Sequence, residues 1–258
     1  MSKPEANKKF AEQVRSVLGM VPNGEFAEDD VFLVSFPKSG NTWFRNLVAG
    51  VVYGIDPEYT PYPVISDVIP GHGNLYYKRY APTMFFKSHH LPKPEYKRVV
   101  YLLRDGRDVM VSCYHHLNAI RGKDVGLLNV VKGEERMFPY HQWHEHVEAW
   151  LANPYQARLL MIRYEDMKND PVRELRRFCE FAGVARDDAW LALMAQKASF
   201  AKMREKEARQ GIGVSNWPKD KLSIRRGEVG SYKDEMPPEV LDVFLQIAGD
   251  TLRRLGYV

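Results

Sequence analysis

Four short apolar runs, each ending in a polar turn, set the pattern of this chain. Residues 31–36 run into Pro37-Lys38-Ser39-Gly40-Asn41. Residues 84–87 run into Ser88-His89-His90-Leu91-Pro92, residues 99–103 into Arg104-Asp105-Gly106, and residues 158–163 into Tyr164-Glu165-Asp166. Short runs that are apolar at nearly every position read as strands buried on both faces of a parallel sheet. Between them apolar residues recur every three or four positions. Trp43, Leu47, Val48, Val51 and Val52 predict a helix from about Thr42 to Tyr53, ended by Gly54. Val109, Met110, Cys113 and Leu117 predict a helix from about Arg107, and Trp143, Val147, Trp150 and Leu151 one over residues 138–151. Asp170-Pro171 supplies an N-cap and a first-turn proline for a helix that Gly183 closes. A helix follows over about 187–197. A last one runs from Pro237-Pro238-Glu239 to Gly256, with Leu241, Phe244, Ala248, Leu252 and Leu255 as its stripe. The expected fold is therefore α/β: a single domain with a central, mostly parallel sheet flanked by helices, and a ligand site beyond the carboxyl ends of the strands.

Four stretches lack this periodicity. Residues 1–30 carry one weak amphipathic turn (Phe10, Val14, Val17, Leu18) and the turn Pro22-Asn23-Gly24, and read as an N-terminal extension. Residues 55–82, with five Pro and five Tyr, read as an irregular segment of the kind that binds ligands. Residues 120–137 are rich in Gly and charge and read as a mobile loop. Residues 202–226 hold eight Lys/Arg against three Asp/Glu.

At 258 residues the chain buries a full core without covalent staples. The net charge of +4 suits a small anionic ligand better than a nucleic acid. Two cysteines, Cys113 and Cys179, both lie in apolar helical patterns and read as buried thiols. No apolar run approaches the ~18 residues of a membrane span, and the N-terminus lacks the apolar region of a secretory signal. The expectation is a cytoplasmic protein without membrane or nucleic-acid partners.

The polar turns carry the chemistry. Pro37, Lys38, Ser39, Gly40, Asn41 and Thr42 bridge a strand and a helix N-terminus, a unit that offers backbone N–H groups, hydroxyls and one ammonium to an anion. It is P-loop-like, yet not a Walker A loop, because no G-x-x-x-x-G-K-[ST] spacing is present. Trp43 adds a flat face for a base. Lys87 and His89, two apart on an extended segment, share one side. Arg104 and Ser112 lie on the third strand–helix unit, and Arg225-Arg226-Gly227 supplies another anion site. No carboxylate pair for magnesium stands among these residues, and no metal is expected. Of the remaining histidines, His115 and His116 read as helix residues. His141, His144 and His146 do not share one helix face and do not make a metal site.

Taken in order, these motifs resemble those of the sulfotransferases that use 3′-phosphoadenosine 5′-phosphosulfate (PAPS), in particular the soluble cytosolic type, over roughly residues 30–235. Phe36-Pro37-Lys38-Ser39-Gly40-Asn41-Thr42-Trp43 resembles that family's 5′-phosphosulfate loop. The segment from Tyr101 to Ser112 is similar to its 3′-phosphate segment, with Arg104 and Ser112 as ligands. Tyr164-Glu165-Asp166-Met167 resembles a segment whose Tyr contacts adenine, and Ser199-Phe200 another adenine contact. Arg225-Arg226-Gly227-Glu228-Val229-Gly230-Ser231-Tyr232-Lys233 is similar to a lid over the 3′-phosphate, which marks about 201–233 as a lid segment of one domain spanning 1–258. The resemblance implies PAPS as co-substrate and 3′-phosphoadenosine 5′-phosphate (PAP) as product. The sulfuryl group would pass in line to a hydroxyl or amine of a small-molecule acceptor. His89 would be the general base, Lys38 would neutralise the leaving phosphate, and Lys87 would hold the transferring group.

Departures from the family pattern are visible. The family's K-T-H-L-P is Lys87-Ser88-His89-His90-Leu91-Pro92 here. Counting from the lysine selects His89 and counting back from Leu-Pro selects His90; the Lys–His spacing favours His89. Arg226 and Tyr232 replace the lid's Lys and Trp, and Ala198 replaces a Thr near the adenine. Pro237-Pro238 falls where the family's dimer motif lies, so a homodimer is not expected to form in that way. A carbohydrate acceptor, a P-loop kinase and a non-catalytic nucleotide sensor are the competing readings. The acceptor is expected to be framed by residues 55–82, the His89-His90 loop and residues 115–140, and the sequence does not name it.

Overall fold

The computed structural model describes residues 12–13, 15–137, 141–213 and 217–258. Among the described residues six strands are present: β1 (Met20–Pro22), β2 (Val31–Ser35), β3 (Tyr76–Lys78), β4 (Phe85–Ser88), β5 (Arg98–Leu103) and β6 (Arg158–Arg163). The helices are α1 (Asn41–Tyr53), α2 (Tyr62–Val68), α3 (Gly106–Arg121), α4 (Leu127–Lys132), α5 (Trp143–Ala152), α6 (Tyr164–Asn169), α7 (Pro171–Ala182), α8 (Asp188–Lys197), α9 (Phe200–Gln210), α10 (Tyr232–Glu235) and α11 (Pro238–Arg254).

Strands β4-β2-β5-β6 form a parallel sheet in that order. Its side chains alternate between two cores, as the two-residue repeat of a strand requires. Phe32, Val34, Val99, Tyr101 and Leu103 enter one core with Val109, Trp143, Trp150 and Phe244, from α3, α5 and α11. Val31, Leu33, Val100, Leu102 and Ile162 enter the other with Phe44, Leu47, Ile65, Phe178 and Leu191, from α1, α2, α7 and α8. The expected α/β domain with a central parallel sheet flanked by helices is thus the observed one. Cys113 and Cys179 are buried free thiols, pushed up to about 12 and about 11 by burial.

Three expectations need correction. Residues 55–82 are not irregular: they hold α2, which buries Tyr62 and Ile65, and β3, which pairs antiparallel with β1. That pairing also ties Met20–Pro22 of the N-terminal stretch to the domain, and Phe26 packs edge-on against Phe32, with ring centroids 4.9 Å apart. Of the weak turn read from Phe10, Val14, Val17 and Leu18, Phe10 and Val14 lie outside the described residues, and Val17 and Leu18 are exposed. Residues 120–137 are no bare loop either. Within them Leu127–Lys132 form α4, which buries Val130 and Val131, with Val125 buried just before it, because five valine and leucine side chains outweigh the flanking glycines and charges. The helix assigned to 138–151 begins at Trp143 with Gln142 and Glu145 as a capping box; residues 138–140 lie outside the described residues.

Candidate active site

A cavity of about 650 Å³ opens at the carboxyl ends of the parallel strands. Its walls include Pro37, Lys38, Gly40, Asn41, Thr42 and Trp43 from the β2–α1 turn and the start of α1, Lys87 from β4 and His89 just after it, Arg104 just after β5, Ser112 from α3, Tyr164 from α6, Phe200 from α9, and Arg225, Arg226 and Gly227 from the segment before α10. Every sequence-predicted site residue except Ser39 therefore meets in one place. Ser39 lies beneath the loop, 2% exposed, and its Oγ has no hydrogen-bond partner among the described residues.

Strand order divides the cavity. The β2–α1 turn is central. On one side β5 and β6 bring Arg104 and Tyr164; on the other β4 brings Lys87 and His89. The turn itself is built around Gly40, the residue before α1, at φ 91°. A side chain there would strain the backbone and place its Cβ 2.7 Å from the Tyr164 ring. The glycine leaves the first amides of α1, which have no partners within the helix, at the cavity wall. Lys38 is also left-handed, at φ 68°. Few lysines accept that conformation. It is held by Arg104, whose Nη1 donates to the Lys38 carbonyl at 3.3 Å. The Lys38 ammonium donates to Ser223 Oγ at 3.2 Å and reaches His116 Nδ1 at 3.5 Å. Burial lowers its pKa. Asn41 turns its amide back to Leu33 O and Ser35 Oγ, at 3.0 and 3.2 Å, and so ties the turn to β2.

His89 donates through Nδ1 to the Ser35 carbonyl at 2.7 Å. A carbonyl only accepts, so Nδ1 carries the proton and Nε2 is the basic nitrogen. Burial first, then the neighbouring Lys87, hold its pKa well below the usual histidine value. His90, the other candidate, is not among the residues that line the cavity. Its carbonyl accepts from Trp150 Nε1 at 3.1 Å. Lys87 is pulled down to about 8 by burial, then by Arg45 and Lys38.

On the other side Arg104 is 8% exposed and lies over the Tyr164 ring at 4.4 Å. Tyr164 packs edge-on against Trp43, whose Nε1 donates to the Ala198 carbonyl at 2.7 Å. The Tyr164 hydroxyl donates to the Gly227 carbonyl at 3.1 Å. Gly227, at φ 63°, sits so close to the Phe200 ring that any Cβ would overlap it. Arg225 and Arg226 pair with Glu235, and Arg226 also with Glu228 and Asp234.

Sequence reasoning missed three contributors. Asp108, 1% exposed, accepts from Gly230 N at 2.8 Å and Tyr232 N at 3.0 Å and lies 3.6 Å from Arg104. His116 lines the cavity beside Lys38. Both were readable from Ser112, since Asp108, Ser112 and His116 fall four residues apart on one face of α3. Arg45 also lines the cavity, one helical turn from Asn41. Among the described residues no group of three or more His, Cys, Asp or Glu side chains could hold a metal, and no helix is long and apolar enough to cross a membrane.

Residues 28–256 match the sulfotransferase domain family. Rat sulfotransferase 2A6 is 30% identical over 69% of this chain and 68% of its own length, and bovine sulfotransferase 1E1 is 26% identical over 95% and 91%. Among solved structures, mouse sulfotransferase SULT7A1 complexed with PAP superposes with a TM-score of 0.66 at 24% identity, covering 89% of this chain and 85% of that one. Retinol dehydratase in a complex with retinol and PAP gives 0.67 at 21% identity, covering 88% and 82%. A parallel sheet with a cation-lined cavity at its carboxyl edge, and a domain match that runs over nearly the whole chain, lead to one conclusion: this chain belongs to the sulfotransferase family.

Proposed function

We propose that this enzyme transfers a sulfuryl group from PAPS to a hydroxyl or amine of a small-molecule acceptor, with His89 as general base. The observation that carries the reading is the split of one cavity into two anion-binding ends. Lys38, Lys87 and the first amides of α1 make one end; Arg104, Ser112, Arg225 and Arg226 make the other; Trp43, Tyr164 and Phe200 lie among them. An adenosine with phosphate groups at both its 3′ and 5′ positions has that distribution of charge around a flat base. The two glycines support the fit, since a Cβ at Gly40 or Gly227 would fill space against Tyr164 or Phe200. PAP bound to the mouse sulfotransferase and to retinol dehydratase points the same way.

In this reading PAPS supplies the sulfuryl group, whose bond to the 5′-phosphate oxygen breaks as the bond to the acceptor forms. His89 Nε2 takes the acceptor's proton, while the Nδ1–H bond to Ser35 keeps the ring in the required tautomer. Lys38 and the α1 amides hold the charge that grows on the departing 5′-phosphate. Lys87 holds the sulfuryl oxygens. Arg104, Ser112 and Gly227, with Arg225 and Arg226, grip the 3′-phosphate, and residues 201–233 act as a lid. Cytoplasmic placement and an acceptor of small-molecule size complete the proposal.

Incubation with PAPS and a metabolite library, read by mass spectrometry, tests it. The expected result is a sulfonate mass gain on at least one hydroxyl or amine compound, with PAP formed in equal amount. PAP binding without any sulfated product across the library would overturn it in favour of a nucleotide sensor.

A further inference from the structure

Besides Lys168, which lies over the Phe200 ring at 5.5 Å, one cation of the cavity has no task in the mechanism above. Arg45 projects from α1, is only 8% exposed and lines the cavity. Its Nη2 donates to Ser66 Oγ on α2 at 2.6 Å, while its Nε is buried without a hydrogen-bond partner among the described residues. Among those residues no carboxylate pairs with it. Beside it stands Tyr62, also on α2 and also lining the cavity, 3% exposed, with a hydroxyl that likewise lacks a partner among the described residues. Tyr62 and Ser66 are one helical turn apart, and Ser66 Oγ is anchored by donating to the Tyr62 carbonyl at 3.0 Å.

Two buried polar atoms left over in adjacent cavity-lining side chains are costly unless a ligand completes them. Their position excludes the two anion grips already described. The end of α2 is followed by Pro70 and Gly71, which bond and bridge to Lys87 on β4. Arg45, Tyr62 and Ser66 therefore belong to the β4 side, with Lys87 and His89. The cations that suit the 3′-phosphate come from β5, α3 and the 225–227 segment.

We infer that Arg45, Tyr62 and Ser66 form an oxyanion subsite on the acceptor side of the cavity, and that the acceptor is a hydroxyl or amine compound that also bears a carboxylate. This rests on the sulfotransferase reading proposed above. A guanidinium offers two parallel N–H groups to a carboxylate, and the Tyr62 hydroxyl donates to one of the same oxygens. Lys87 then lies between the bound carboxylate and the transferring sulfuryl group and separates two negative charges that would otherwise repel. Burial draws Arg45 down to about 10, which leaves it fully protonated at neutral pH and ready for an anion.

The test titrates the enzyme–PAP complex calorimetrically with matched acids and alcohols: hydroxyphenylacetate against hydroxyphenylethanol, and hydroxybutanoate against butanediol. The acid of at least one pair should bind at least about tenfold more tightly than its alcohol. Arg45→Gln should abolish that preference with the affinity for PAP unchanged, and Arg45→Lys should restore part of it. Tyr62→Phe, which breaks no side-chain hydrogen bond of the described structure, should cut the preference by about threefold and serves if Arg45→Gln does not fold. In turnover the loss should appear in KM for the acid rather than in kcat. Acids that bind no better than their alcohols while PAP binds normally would overturn the subsite alone. Weakened PAP binding in Arg45→Gln would overturn it too, by assigning Arg45 to the donor. Failure of PAP to bind the wild-type protein would instead bring down the transferase reading on which it rests.

Discussion

His89 Nδ1 donates to the Ser35 carbonyl at 2.7 Å, so a residue at the end of β2 sets which nitrogen of a residue on the β4 turn is basic. The bond also ties the imidazole to the strand that carries the Pro37–Thr42 turn, and a change in one would be felt in the other. His89→Ala should lower kcat by about a hundredfold or more with PAP affinity nearly intact. His89→Asn keeps a donor for Ser35 and removes the base, so it should be equally inactive. If the Asn variant recovered turnover, His89 would be a positioning residue and not the base.

The pH profile follows from the direction of two shifts. As the proposed base, His89 acts when neutral, and its pKa lies well below the usual value. Acid should therefore not diminish turnover until the pH is well below 6.5. In the proposed reading Lys87 must be charged to hold the sulfuryl oxygens, and its pKa is drawn down to about 8. kcat/KM for PAPS should then fall as the pH rises through about 8. kcat should hold to higher pH, because a bound anion restores the proton to Lys87. Lys87→Arg should keep its charge and remove the alkaline fall. A wild-type profile flat from pH 7 to pH 10 would contradict the role given to Lys87.

Much of this site could be read in the sequence because local signals agreed with one another. Residues 31–43 carry an apolar run, a glycine turn and a helical stripe in succession, and β2, the turn and α1 are what they form. The choice between His89 and His90 could not be made by counting. It depends on which ring faces the cavity, and that His89 lines it while the His90 ring packs against His72 is a tertiary fact. The same is true of β1 and β3. They are three residues each and exist because Met20–Pro22 meets Tyr76–Lys78 across more than fifty residues of chain. Arg45 escaped notice because a charged residue within an apolar helix reads as a solvated face unless α2 is known to cover it.

In the proposed reading Asp108 anchors the lid segment. Its carboxylate accepts the Gly230 and Tyr232 amides and the Ser231 hydroxyl, while it lies 3.6 Å from Arg104. Asp108→Asn keeps the shape, but it removes one acceptor and the charge that balances Arg104. Amides 227–232 should then exchange hydrogen faster in the protein without ligand. The affinity for PAP should fall by about tenfold to a hundredfold, and that for adenosine 5′-phosphate much less. Equal losses for both nucleotides would mean that the lid does not act through the 3′-phosphate.

Stability should decline in mild acid, for a reason that lies behind the active site. His146 is fully buried. Its Nε2–H donates to the His89 carbonyl at 3.2 Å, and its Nδ1 accepts from the Tyr101 hydroxyl at 2.9 Å. Burial holds His146 down to about 3 and His89 well below its usual value. Both therefore bind fewer protons when folded than when unfolded at any pH between the two values. Stability is full above the unfolded value of 6.5 and is lost as the pH falls below it, by about 1.4 kcal/mol per pH unit for each group. Glu165 and Glu207, whose carboxyls burial pushes up, oppose this loss toward the acidic end. Denaturant unfolding at pH 7.5, 6.5 and 5.5 should show the midpoint dropping over the last interval most. His72, His90, His116 and His144 are also held down by burial and add to the loss. His146→Gln retains hydrogen-bonding capacity and does not titrate, so it should reduce that slope by one group's share, about 1.4 kcal/mol per pH unit, although its stability at pH 7.5 is lower. A variant with the slope of the wild type would show that the acid loss arises elsewhere and that the imidazole beneath the His89 loop is not its source.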